Sequence, residues 1–329
     1  MFRSFFLSRQ LAIWAWPGAA IIFIGTWYQV QIDVSINEWF GEFYDVVQKA
    51  LTTPGAVTLK EFFGFLLSFG TLAGIYVLVA VLLGFFTKHW VFRWRQAMNN
   101  YYMAHWQTLR HIEGASQRVQ EDTKRFAAIM ETLGSNMIDS LMTLVAFLPI
   151  LWTLSKKVGE IPILGHVDHA LVYVAVLFAL LGTVALAAVG MKLPGLEFNN
   201  QKVEAAYRKE LVHAEDDASR ASDSVVQDLF EQVRKNYFRL FFHYMYFDVA
   251  KFSYLQFGVL VPYIALGPTV VAGAITLGVM QQIVRAFGRV EMSFQFLVRS
   301  WGTIVELISV YKRLRAFEAE IVKIESKAN

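Results

Sequence analysis

Six stretches of this 329-residue chain, at 11–32, 62–86, 136–154, 170–193, 253–273 and 275–311, are each long and apolar enough to cross a bilayer as a helix. In hydrocarbon every backbone N–H and C=O must be paired within the chain, so such segments fold as helices and the protein is expected to be all-α and polytopic. Charged residues make up only 17% of the chain, where a soluble domain carries roughly a quarter, and they fall mostly between the apolar blocks. The 275–311 stretch is the exception, since Arg285, Arg289, Glu291 and Arg299 interrupt it. A net charge of +3 gives no basis for a nucleic-acid partner, and the absence of cysteine removes disulfides and thiolate metal sites. With no solenoid period and no low-complexity stretch, residues 1–329 read as a single integral membrane domain.

The basic start followed by the run 11–32 resembles a leader, but the run exceeds the 7–15 residues of a signal core and leads into Trp27, Tyr28 and Gln29. It is read as a retained span. Six crossings with the N-terminus inside place Lys49, Lys60, Lys156 and Lys157 outside and Arg285, Arg289 and Arg299 within the sixth span. All other Lys and Arg fall in the cytoplasm, an asymmetry that fixes both termini there. No proline lies between Pro54 and Pro149 or between Pro194 and Pro262. Proline is the strongest helix breaker, so the second span is expected to continue to about Ile112, with Gly114 as the break. The fourth is expected to run on through 198–212, turn at 214–224 and return through 225–252.

Several chemistries are missing. There is no G-x-x-x-x-G-K-[ST] loop to cradle a nucleotide, no dinucleotide fingerprint, no H-E-x-x-H and no nucleophile elbow, so no cofactor and no enzymatic activity are expected. His166 and His169, with only Asp168 beside them, make no metal site.

The acidic residues carry more information. Glu121, Glu131 and Asp139 lie on the approach to and inside the third span, and Glu131 has no basic residue at i±4. Glu204 and Glu215 are eleven residues apart, which brings them to within about 20° on one helix face. Acids in an apolar cavity hold protons more tightly and serve as proton relays. The alternative for Glu121 and Glu204 is an i, i+4 pair with Arg125 and Arg208 on a solvated helix. In the sixth span Gln281, Gln282, Arg285, Arg289, Glu291, Gln295, Arg299 and Glu306 must face protein or water, either lining a cavity or pairing with neighbours. Residues 36–51, with Trp39, Phe40, Phe43 and Tyr44 among acids, fit an interfacial helix or an aromatic cavity mouth.

The strings Phe92-Arg93-Trp94-Arg95, Asn100-Tyr101-Tyr102-Met103, Gln117-Arg118-Val119-Gln120-Glu121-Asp122-Thr123, Lys192-Leu193-Pro194-Gly195-Leu196-Glu197-Phe198 and Val203-Glu204-Ala205-Ala206-Tyr207-Arg208 resemble the SbmA/BacA family of bacterial inner-membrane peptide transporters. The likeness runs from about Thr26 to the end. It implies the membrane half of an ABC-exporter fold, two chains in a homodimer, and proton-driven uptake of peptides and peptide-like antibiotics. It also implies that Glu121, Glu131, Glu204 and Glu215 form the proton-coupling ladder and that Tyr44 lies near the cavity. Asp139, Arg285, Glu291 and Glu306 join it as expected cavity residues. Residues 117–122 also resemble the peroxisomal fatty-acyl ABC transporters. Longer family members have an additional membrane helix before the stretch that begins near Trp14, so this chain is read as a short member or a shortened copy. A membrane subunit that recruits a separate ATP-binding chain is the competing reading, with 114–122 and 214–224 as docking elbows.

Overall fold

A computed structural model describes residues 1–8, 10–112, 114–162, 165, 167–216 and 222–328, with side chains at all of these but 198, 201, 216, 297, 298 and 324–328. The described residues are helical throughout, apart from turns and one isolated bridge between Ile161 and Gly165. After the short α1 (Phe2–Phe6) come α2 (Ala12–Thr52), α3 (Leu59–Ala104) and α4 (Trp106–Leu109). A nearly unbroken rod follows: α5 (Ala115–Gln117), a π-helical turn (Arg118–Asp122), α6 (Thr123–Ile129), a second π-helical turn (Met130–Gly134) and α7 (Ser135–Ser155). The chain continues through α8 (Ala170–Gly190), α9 (Leu193–Asp216), α10 (Asp223–Val271), α11 (Leu277–Phe294), α12 (Phe296–Arg299) and α13 (Trp301–Ala328).

Among the described residues, five helical rods are long and apolar enough to cross a membrane, at Ala12–Thr52, Leu59–Ala104, Ala115–Ser155, Ala170–Glu215 and Asp223–Val271. The stretch expected as a sixth span is divided among α11, α12 and α13 and is too charged to meet the same test. Phe63, Leu67, Leu78, Leu82 and Phe85 of α3 are all exposed, which in a helix apolar on every side is the surface that lipid covers. Residues 36–51 are not a separate interfacial helix but the second half of α2.

The second span ends at Ala104, eight residues short of the expected Ile112. The His105 ring Nδ1 lies 2.8 Å from the Tyr101 carbonyl, the acceptor its own backbone N–H would use in a continuing helix, and that N–H turns instead to Tyr102 O. Gly114 then takes a left-handed φ of 75°, as its expected role as a break requires. Gly273, at φ 63°, follows α10, and Thr276 caps α11 by accepting the Val279 N–H at 3.2 Å.

The chain forms two compact units. The first comprises Met1–Val176 and Pro262–Asn329, where α2, α3, α7 and α11 pack together. A buried cluster including Phe5, Trp94, Met98, Tyr102, Leu109, Phe126, Leu314 and Phe317 joins α1, α3, α4, α6 and α13. Phe5 stacks on Trp94 with ring centroids 5.9 Å apart. The second unit, Leu177–Val261, is an antiparallel hairpin. Its register is given by Tyr254 stacked on Phe178, Gly190 facing Phe247, Asn199 bonded to Asn236 and Tyr207 against Phe230. The expected turn at 214–224 includes 217–221, which lie outside the described residues.

Candidate functional site

The crossing of α2 and α11 places the polar residues of the first unit. Gln48 Oε1 and Asp45 Oδ1 accept the Leu277 and Gly278 N–H groups at 2.7 and 2.9 Å, so α2 side chains satisfy the free donors at the start of α11. A Cβ on Gly278 would collide with the Gly41 carbonyl oxygen and the Asp45 carboxylate, so the close approach depends on that glycine. Two turns further on, Asp33 is 5% exposed, and its two oxygens each meet a different arginine, Arg285 Nη2 and Arg289 Nη2, both at 2.7 Å. The Arg285 guanidinium also lies 4.8 Å over the Phe40 ring. Asn37, one turn from Asp33, is 1% exposed, and its Oδ1 has no partner among the described residues.

Of the residues singled out in the sequence, Arg285 and Arg289 lie here, and Asp139 of α7 is within electrostatic reach of Arg289 and Asp33. Glu291 is buried on the same helix and accepts from Gln295 Nε2 at 2.7 Å, while Gln295 Oε1 accepts from Arg299 at 2.9 Å. Tyr44 belongs to an aromatic group instead. It stacks on Phe40 at 6.0 Å, beside a Trp39 that stacks on Phe43 and donates its indole N–H to the Phe65 carbonyl at 2.9 Å. Asp33 escaped the sequence reading because it falls one residue past the expected first span. An acid following so closely on an apolar run was the available signal.

A second polar cluster joins the first π-helical turn to α13. Arg125 contacts Glu121 at 2.7 Å and Glu306 at 3.4 Å, so the alternative reading of Glu121 as an i, i+4 ion pair is realised. Glu306 is exposed. Beside them Asp122, 1% exposed, takes Arg313 in a fork, with Nε at 3.0 Å and Nη2 at 2.7 Å. That bond pushes the arginine's pKa up from an already high ordinary value. Glu131 lies on the second π-helical turn, half-buried, with no cation in ion-pair contact among the described residues. In the second unit α9 remains helical across both Glu204 and Glu215; Glu204 is half-buried and Glu215 exposed. Neither has an ion-pair partner among the described residues, so the Glu204–Arg208 pair does not form. His169 stacks on Trp152 at 3.8 Å, and His166 lies outside the described residues.

The SbmA/BacA-like family model matches residues 8–322. The chain belongs to that family. Its relatives are transport proteins by name. The chain is 27% identical over 312 residues to the inner membrane ABC transporter ATP-binding protein YddA of Escherichia coli, covering 88% of this chain and 54% of that protein. It is 24% identical over 240 residues to an uncharacterized ABC transporter ATP-binding protein of Synechocystis, covering 70% and 34%. It is 24% identical over 243 residues to the chloroplastic ABC transporter D family member 2 of Arabidopsis thaliana, covering 69% and 33%. The chain thus spans between a third and just over half of the curated relatives it matches. Family and helices together make it an all-helical member of the SbmA/BacA-like family, among the described residues, with helices long and apolar enough to cross a membrane and ABC transporter proteins among its relatives.

Proposed function

We propose that the protein is a homodimeric, proton-driven importer of peptides and peptide-like antibiotics in the bacterial inner membrane, working by alternating access with both termini in the cytoplasm. The observation that carries this reading is the placement of Glu121 and Glu131 on the two π-helical turns of one membrane rod. Such turns break the regular backbone pattern and concentrate at functional sites. Glu131, half-buried on this rod with no cation in ion-pair contact among the described residues, is the member of the ladder we assign the coupling step. Glu121 shares Arg125 with Glu306, so protonating Glu121 frees the arginine for α13. Glu204 and Glu215 of α9 are assigned the same proton-coupling role, and Tyr44, Asp139, Arg285, Glu291 and Glu306 face the cavity in one stage of the cycle. For protons to drive the swing, these acids must hold them more tightly in one state than in the other.

The test is peptide uptake into proteoliposomes under an imposed pH gradient, with wild type and Glu131→Gln. The wild type is expected to accumulate peptide. The variant is expected to keep its fold and lose accumulation, and full uptake in Glu131→Gln would discard it as a coupling residue. A second reading, a membrane subunit served by a separate ATP-binding chain, is favoured by the names of the relatives and by their greater length. Collapsing the proton gradient while sparing ATP separates the two, since only the first loses uptake.

A further inference from the structure

We propose that Arg285 and Arg289 receive a carboxylate of the substrate, the C-terminal carboxylate of a peptide, and that Asp33 is the built-in counter-ion it displaces. The proposal rests on the peptide-uptake reading above and names the substrate group recognised. Arginine binds a carboxylate best through two parallel N–H bonds, as Arg313 binds Asp122. Arg285 and Arg289 are held otherwise. Each reaches Asp33 through a single terminal nitrogen, one arginine per carboxylate oxygen. Neither guanidinium is used as a fork by Asp33, so one two-nitrogen edge of each remains open through the second N–H of Nη2, and the buried Nε of Arg285 has no partner among the described residues.

The charge balance points the same way. Two cations share one buried carboxylate, and unneutralised charge is costly where water is scarce. Asp139 lies within electrostatic reach but makes no ion pair among the described residues. Glu291 is bonded to Gln295 on its own helix, and Glu38 is exposed on α2. In direct ion-pair contact, two cations thus face a single carboxylate among the described residues. Both arginines are about 30% exposed, so the anion has a way in.

The neighbouring groups suit a peptide end in particular. Asn37 Oδ1, on the face of α2 shared with Asp33, is an acceptor without a donor among the described residues. A peptide terminus brings the complementary set, an N–H beside a carboxylate. Phe40, under the Arg285 guanidinium and stacked with Tyr44, supplies an aromatic wall for the last side chain.

The experiment uses wild-type protein in proteoliposomes under a pH gradient and an N-terminally labelled cationic octapeptide free of Asp and Glu. The peptide is supplied as the free acid and as the C-terminal amide. The acid is expected to show a KM about tenfold lower than the amide, the effect of one charge-assisted contact. In Arg285→Gln and in Arg289→Gln the KM of the acid is expected to rise to that of the amide. In Asp33→Asn the acid is expected to bind more tightly, since its competitor is gone. Equal KM values for the two peptides in the wild type overturn this proposal alone, whether or not the variants fold. Uptake of neither peptide overturns the transport reading and this proposal with it.

Discussion

Removing either partner of the Asp122–Arg313 bridge is expected to destabilise the protein unequally, and the structure sets the order. Asp122 is 1% exposed and Arg313 36%. A hydrogen bond to a charged group contributes about 1.5–3 kcal/mol net, and this pair makes a fork of two. Because Arg313 has more than a third of its side chain in solvent, water takes back part of that value. A coupling energy of about 1–3 kcal/mol is expected, below the roughly 3–5 kcal/mol for breaking a fully buried pair. After Asp122→Ala the arginine can turn to water, at a cost of about 1–2 kcal/mol. After Arg313→Met the carboxylate stays buried with Arg118, at 3.5 Å, as its one remaining ion-pair partner among the described residues, at a cost of about 2–4 kcal/mol. Reversible unfolding in detergent micelles, followed by tryptophan fluorescence on both single variants and the double, yields the coupling directly. A coupling below about 0.5 kcal/mol, or a larger loss for Asp122→Ala than for Arg313→Met, would refute the reasoning.

Two further changes test the packing. Gly278→Ala drives a methyl group into the Gly41 carbonyl, which cannot swing aside, and should cost about 1–3 kcal/mol. Gly288→Ala on the same helix meets no atom within 4 Å and should shift thermal stability by less than about 0.5 kcal/mol, or raise it. Trp39→Phe keeps a ring against Phe43 but loses the indole bond to the Phe65 carbonyl, an expected loss of about 1 kcal/mol in the same unfolding assay.

Much of the helical framework was legible before folding. Bilayer thickness fixes the length of an apolar helix, and proline spacing says where a helix can run on, so the long rods and the break at Gly114 follow from composition and spacing. Two boundaries did not. The second span stops at Ala104 because a histidine ring competes for a backbone carbonyl, and α2 continues past its apolar part because 33–52 contains no proline and its one glycine, Gly41, lies at the crossing with α11. Glu131 could be singled out from the sequence because a missing i±4 partner is a local property.

What the order of residues determined, then, is membrane embedding, all-helical structure and the acids worth testing, because these depend on hydropathy and on neighbours within a turn. Tertiary structure alone decided that Asp33 meets Arg285 and Arg289 across some 250 residues, that Asp122 grips Arg313, and that Glu121 and Glu131 fall on π-helical turns. The reason is physical: which charges neutralise one another depends on which helices cross, and helix crossings are set by the packing of small residues such as Gly41 and Gly278, which no local pattern reveals.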